Sequence, residues 1–522
     1  MKQEFNNINK FLKNNTSLII FSSLLMLILY GKFVFLNDIK IDTAIFVFDP
    51  ISDYNWGSIG RYGLLFLKKL LLLKSFNLYY AAGLFLFMLI ITAIYWIYLM
   101  KKHIKYTNGI ILISSLVLIF GSPIYTEQFY FLLQSVEIIT AFLMTLISID
   151  LTLSYLKNNK ITYAVVACLI NIITFGVYQA FVPLYLSILI GFYLAKYSNE
   201  FQKNSKQELI KFVKNISKLI AIFLISFIIS TIISKSITTS NYLSNQIAWG
   251  KENLTTITNT IIGYIKQFIC VKNIYSTYAY IFMIIALIII QILINYKKNI
   301  MSLILNLVCL FIFAITPFLI TIYTGNYQVN RAQLCFPVVV SLGLIIGYDK
   351  IKRIKLNDNI IKTASIIFTV IVIISALQEY KISSQLKYAD EITYNQDQIL
   401  ANDIYNCVLE KMDSNIDNYR IIIIGKNPDK LPSSAIKGET MGISKFNYFS
   451  EIKPYYFYST MNIQNIWKII GKKPIMTDES LTDWALNYIK DNRVENFPNK
   501  NSIIIEDNKI LVKISDDYIN SK

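Results

Sequence analysis

A single histidine, His103, serves all 522 residues. An active site elsewhere in the chain must work without imidazole, which removes Ser-His-Asp hydrolysis, His-dependent acyl transfer and His-ligated metal centres. His103 itself sits in the connector Lys101 to Lys105 and reads as a solvated loop residue. Cysteine is almost as scarce. Cys168, Cys270, Cys309, Cys335 and Cys407 are odd in number, widely spaced and mostly inside apolar runs. They read as small buried hydrophobes, and neither a disulfide framework nor a zinc site is expected. No GxxxxGKS/T phosphate loop occurs and no GxGxxG follows a strand, so nucleotide-driven transport by this chain alone has no support. Charged residues are 16% of the chain against 54% hydrophobic ones, and the mean hydropathy is +0.47. That is too apolar for a water-soluble globule of ordinary composition.

What the chain has instead is long apolar runs, so the expected fold is an α-helical polytopic membrane protein. About eleven runs reach or approach the ~20 residues that cross a hydrocarbon core. They lie near 17–36, 79–100, 109–125, 131–156, 161–177, 180–195, 216–234, 278–295, 300–322, 334–348 and 361–378. The transmembrane part is then 1–378, followed by a tail over 379–522. Ser17 to Leu36 is too long for a signal-peptide core and no small-x-small cleavage site follows it, so it counts as a span.

The net charge of +17 invites a nucleic-acid partner, but the lysines are spaced as a topology signal. They fill the segment before the first span (Lys2, Lys10, Lys13) and the connectors holding Lys101, Lys102 and Lys105, Lys157 and Lys160, and Lys196 to Lys214. Two later connectors carry Lys297 and Lys298, then Lys350, Lys352, Arg353 and Lys355. With eleven spans these all fall on one side, cytoplasmic by the positive-inside rule. The N-terminus is then inside and the tail outside, with membrane lipids as partners and no nucleic acid. The segment 235–277, with Lys235, Lys251, Lys266 and Lys272, fits this pattern least well.

Chemistry concentrates in the first outward loop, Asp38 to Arg61, which holds Asp42, Asp49, Asp53 and Trp56 and closes with Gly60 and Arg61. Ionisable groups beside lipid are costly to keep, so such a cluster marks a site. Asp42, flanked by Ile41 and Ala44 to Phe46, can have its pKa raised by desolvation and act as a base, although a lone Asp is more often a cap or a solvated loop acid. Asp49 and Asp53 frame a turn and suit turn geometry or sugar hydroxyls. Trp56 can stack on a sugar face, or simply mark the bilayer interface. Arg61 carries a planar fork suited to phosphate. The segment Tyr62 to Leu73 is too short to cross and reads as an interfacial helix, with Lys68, Lys69 and Lys74 toward headgroups.

Three more outward positions can converge there: Glu127 and Gln128 in the lysine-free loop Ser122 to Tyr130, Tyr178 and Gln179 after Gly176, and Arg331 before the tenth span. Arg331 suits either a headgroup or a substrate phosphate. Glu137, about two turns inside the fourth span, calls for a cation or a hydrogen bond within the bundle, and Asp150 reads as structural. In the tail, Asp390 to Met412 and Ile463 to Ile470 read as helices and Arg420 to Ile424 as a buried strand. Ser502 to Glu506 and Lys509 to Ile514 read as a hairpin around Asp507-Asn508, which makes the tail a small α/β domain.

The first loop closing with Trp56, Gly60 and Arg61, the loop with Pro123 and Glu127, the run Gly176-Val177-Tyr178-Gln179, and the Arg before the tenth span together resemble the GtrII-type bacterial glucosyltransferases. The resemblance covers essentially the whole chain. It implies a GT-C type bundle and transfer of glucose or another hexose from an undecaprenyl-phosphate-linked donor to a surface polysaccharide such as O-antigen. It also implies Asp42 as the catalytic acid-base residue, with a sugar-lipid synthase and a flippase as working partners. Thr43 stands where that family often has a second acid, and Gln134 or Ser135 where a further aspartate is expected, departures that bear on the acceptor and on metal dependence. No cofactor is required, and a divalent metal is an option. Rival readings are a lipid-linked oligosaccharide polymerase, a flippase, for which midplane charges on broken helices and internal repeats would be expected, and a non-catalytic scaffold.

Overall fold

The computed structural model describes residues 2–35, 43, 53–74, 76–196, 205–295, 300–354, 357–412, 415–428, 430–448 and 454–517. Residues 2–35 and 53–383 form one compact, helical unit, and the residues from Ser384 onward make up most of a second.

Five described helices are long and apolar enough to cross a membrane: Leu78–His103, Leu132–Asn158, Leu209–Ile237, Ile300–Thr324 and Asp358–Leu409. Two bent pairs raise this to seven. Asn6–Asn14 meets Thr16–Tyr30 at 83°, and Gly109–Phe120 meets Pro123–Tyr130 at 49°. The eleven expected spans are therefore met, by length and composition, by five to seven among the described residues. The difference lies in helices too short to qualify, such as Ile161–Val177 and Phe181–Lys196. Cys335–Ile351 is buried along its whole length, so it packs against protein and presents no surface to lipid.

Local signals set the helix ends. Asn77 Oδ1 accepts from the Tyr80 N–H at 2.9 Å and Asn108 Oδ1 from the Ile111 N–H at 2.7 Å, each satisfying an otherwise orphaned donor. The helix Leu78–His103 ends on Lys101, Lys102 and His103, where positive charge meets the carbonyl end of the helix dipole. Leu132–Asn158 stops at Asn159, whose φ of 53° is left-handed. This last helix is the most enclosed of the long ones, with 78% of its most apolar stretch buried. It packs on Leu78–His103, Ile161–Val177 and the short helix Tyr62–Leu70.

Two loop expectations change. His103 is not solvated: it is half-buried at the helix end with its side chain 5% exposed, Nε2 lying 2.9 Å from Asp150 Oδ1, while Lys102 Nζ holds Asp150 Oδ2 at 2.9 Å. Ser122 to Tyr130 is not a loop. Ser122 caps the N–H of Tyr125 at 3.3 Å and Pro123 takes the first helical position, where its missing donor costs nothing, so Pro123–Tyr130 is helical. Of the cysteines, Cys309 and Cys335 are buried, Cys168 and Cys407 half-buried, and Cys270 exposed. The misfit segment 235–277 contains the amphipathic helix Leu254–Ile269, which buries Ile257, Tyr264 and Phe268 on one face and leaves Lys266 exposed.

In the second unit, β1 (Arg420–Ile424), β2 (Ile503–Glu506) and β3 (Lys509–Lys513) form a sheet in the order β1-β3-β2. The β2–β3 hairpin is antiparallel and turns at Asp507, with φ 54°, while β1 adds parallel to β3. Strand alternation gives the sheet two apolar faces. Ile421, Ile423, Ile510 and Val512 pack with Ile404, Val408 and Trp467, whereas Ile422, Ile424 and Leu511 pack with Tyr456, Leu481 and Ala485.

Candidate active site

Two glycines bring the site together. A Cβ on Gly63 would collide with the Ile173 carbonyl oxygen, and one on Gly176 with the Tyr62 ring, so Tyr62–Leu70 and Ile161–Val177 cross where only hydrogen fits. The Tyr62 hydroxyl donates to the Ile172 carbonyl at 2.5 Å and lies 2.9 Å from Ser230 Oγ. This crossing sets Tyr178, the residue after Val177, against Arg61, whose guanidinium carbon lies 4.7 Å from the centre of the Tyr178 ring. Gly60, with φ 79°, turns the chain into the short helix, and Ser234 Oγ donates to its carbonyl at 3.0 Å.

Arg61 Nη1 donates to Gln134 Oε1 at 3.2 Å. Lys68, two turns further on, is also turned inward. Its Nζ reaches Glu137 Oε1 at 2.8 Å and the Leu133 carbonyl at 2.5 Å, and lies 4.8 Å from the Trp56 ring centre. Arg331, in the single turn Asn330–Ala332, places its guanidinium carbon 4.8 Å from the Phe131 ring centre. Phe131, Gln134 and Glu137 are spaced by three, and so share one side at the start of Leu132–Asn158. Three cations thus collect at the N-terminal end of one helix, where the backbone dipole is also positive. Such an end, with guanidinium forks beside it, is suited to an anion of phosphate type.

Lys68 corrects the interfacial reading of its helix. It is 1% exposed, and its partner Glu137 is fully buried, whereas Lys69 and Lys74 are exposed as expected. An ammonium so far from water needs a carboxylate, and Glu137 is that carboxylate. Of the two options the sequence left for Glu137, a cation or a hydrogen bond within the bundle, the structure supplies the cation, Lys68. Trp56 is buried, and the face toward Lys68 is occupied by the ammonium, which leaves that face unavailable to a sugar.

Glu127 lies on the helix Pro123–Tyr130, wholly buried, and accepts a hydrogen bond from the Tyr275 hydroxyl at 3.0 Å. Gln128 beside it is buried as well. The same helix packs against the turn Asn330–Ala332 that carries Arg331. Tyr178 and Gln179 are half-buried. Asp53 opens the helix Asp53–Ser58, but its side chain, together with Asp42 and Asp49, lies outside the described residues. Among the described residues no three His, Cys, Asp or Glu side chains are grouped to hold a metal ion.

Sequence reasoning missed Lys68, Gln134 and Tyr275 as parts of this arrangement. A signal for Lys68 was present: it follows Arg61 by seven residues, two helical turns, and so shares the face of the residue already singled out. Nothing local distinguished Tyr275.

A family model described as Glucosyl transferase GtrII matches residues 31–348, a stretch that contains every residue of this site. No curated protein and no solved structure matches the chain.

Proposed function

The chain belongs to the GtrII glucosyltransferase family, and we propose that it moves glucose or another hexose from a polyprenyl-phosphate donor to a surface polysaccharide at the outer face of the bacterial cytoplasmic membrane. The observation that carries this reading is the gathering of Arg61, Lys68 and Arg331 at one helix end, beside Tyr178 and Trp56. A transferred sugar leaves behind a phosphate, and preorganised cations stabilise the charge that develops on it. On this reading the lysine-rich connectors and the N-terminus are cytoplasmic, and the domain 379–522 is extracytoplasmic.

The reaction then needs one base. Asp42 takes the proton of the acceptor hydroxyl as its oxygen attacks the anomeric carbon, while the bond from that carbon to the donor phosphate breaks. Arg61 and Arg331 receive the departing phosphate. Lys68, committed to Glu137, fixes the helix whose first turn carries Arg61. Asp49, Asp53, Glu127, Gln128 and Gln179 serve sugar hydroxyls or shape the pocket. With a single displacement the product is inverted at the anomeric carbon.

Purified protein given a radiolabelled polyprenyl-phosphate hexose and acceptor polysaccharide tests this directly. Polyprenyl phosphate should be released and label transferred, with turnover falling about 10²–10⁴-fold in Asp42→Asn and strongly in Arg61→Ala at unchanged expression. Full turnover by Asp42→Asn would overturn the base assignment. Movement of the lipid across the bilayer without bond cleavage would favour a flippase.

A further inference from the structure

We infer that the groove between the N-terminal helix and the end of Leu78–His103 binds a phosphate ester, with an anionic phospholipid headgroup as its occupant. The groove holds about 280 Å³ and is lined by Asn7, Lys10, Phe11, Asn14, Asn15, Tyr98, Lys101 and Lys102. Three ammonium groups therefore border one opening, with three carboxamides between them.

The floor is apolar: Phe11 and Tyr98 are buried and meet edge to face, ring centres 5.4 Å apart. The rim is held in place. Lys101 Nζ donates to Asn15 Oδ1 at 2.7 Å, Asn15 Nδ2 donates to the Phe11 carbonyl at 2.8 Å, and Lys102 is anchored on Asp150 at 2.9 Å while its ammonium lies 5.4 Å from the Tyr98 ring centre. Asn15 thus ties the N-terminal helix to the basic end of Leu78–His103, and the groove is what that tie leaves open.

The direction of the helix supplies the second argument. Asn6–Asn14 turns 83° away from Thr16–Tyr30, so when the latter stands in the bilayer the former lies along its surface. Its sequence is amphipathic, with Ile8, Phe11 and Leu12 apolar and Lys10 and Lys13 basic. A basic amphipathic helix in that plane sits at headgroup depth, and its lysines meet phosphate there. The apolar floor suits the glycerol and first acyl carbons, and the carboxamides suit ester and hydroxyl groups beside the phosphate. The groove shares no residue with the candidate active site, so it stands whatever sugar is moved.

The test uses the full-length protein, delipidated in a neutral detergent and titrated with short-chain phosphatidylglycerol or phosphatidylcholine of the same chain length, with bound lipid counted by native mass spectrometry. Phosphatidylglycerol should bind in preference. Lys10→Gln with Lys101→Gln should weaken it about tenfold, and Lys10→Arg with Lys101→Arg should restore it. Glycerol phosphate is the competing soluble probe. Failure to displace the lipid supports the lipid assignment, and displacement at equal concentration overturns it in favour of a soluble phosphate ester. Equal binding of both lipids, or unchanged binding in the glutamine variant, overturns the site itself.

Discussion

Lys68 and Glu137 show how much one pair of side chains carries. Both are essentially removed from solvent, so each is tolerable only while the other is present. Lys68→Met should cost about 3–5 kcal/mol, because Glu137 is left charged and unpaired in the interior. A Lys68→Met, Glu137→Leu double variant should recover most of that loss, as detergent-solubilised thermal unfolding would read. If the single variant unfolds like the parent, the pair is not buried as described. The close crossing at Gly63 and Gly176 makes a second prediction. Gly176→Ala forces the Tyr62 ring away and with it the contact of Tyr178 with Arg61, so turnover should drop severalfold while Gly83→Ala, which meets nothing within 4 Å, leaves it unchanged.

At the scale of elements, the helix Pro123–Tyr130 is the informative case. Its proline and polar residues suggested a loop, yet Ser122 and Pro123 are also a helix start, and tertiary packing buries all eight residues. Glu127 can be buried there because the Tyr275 hydroxyl reaches it from far along the chain. Tyr275→Phe should destabilise the protein by about 1–3 kcal/mol, the cost of removing a hydrogen bond from a buried carboxylate, readable in the same unfolding assay. The helix Tyr62–Leu70 teaches the complementary point. Its length and amphipathic pattern were legible, and of Lys68, Lys69 and Lys74 only Lys68 shares the face of Arg61, two turns back. What the local pattern lacks is the partner, Glu137 on a neighbouring helix, that lets Lys68 stay inside.

For the molecule as a whole, the second unit adds a dependence on pH. Asp397, well beyond the apolar run 361–378, accepts from Ser444 Oγ at 2.6 Å, the Lys445 N–H at 2.5 Å and Asn427 Nδ2 at 3.3 Å. Burial lifts its carboxyl to about 6, against the pull of these donors. A carboxyl raised on folding favours the folded state most at low pH, and that contribution is lost as pH rises from about 4 to about 6. The loss is of the order of 3 kcal/mol at full size. Hydrogen exchange at Ile421 to Ile424 should therefore quicken across this window, and Asp397→Asn should flatten the dependence. The strands of this unit were readable from their short apolar runs and the Asp507-Asn508 turn. The parallel addition of β1 to β3 was not, because it joins segments more than eighty residues apart.

By itself the sequence determined that the chain is a membrane helix bundle, that Arg61, Glu127, Tyr178 and Arg331 deserved attention, and that Glu137 needed a cation or a hydrogen bond inside the bundle. These follow from composition, run length and the cost of charge beside hydrocarbon, all of which are local. Tertiary structure decided that a cation, Lys68, answers Glu137, that Glu127 is buried and His103 turned onto Asp150, and that Arg61, Lys68 and Arg331 each contact the start of one helix. Those outcomes depend on desolvation and pairing between segments distant in the chain, and no local pattern records which distant partner will be there.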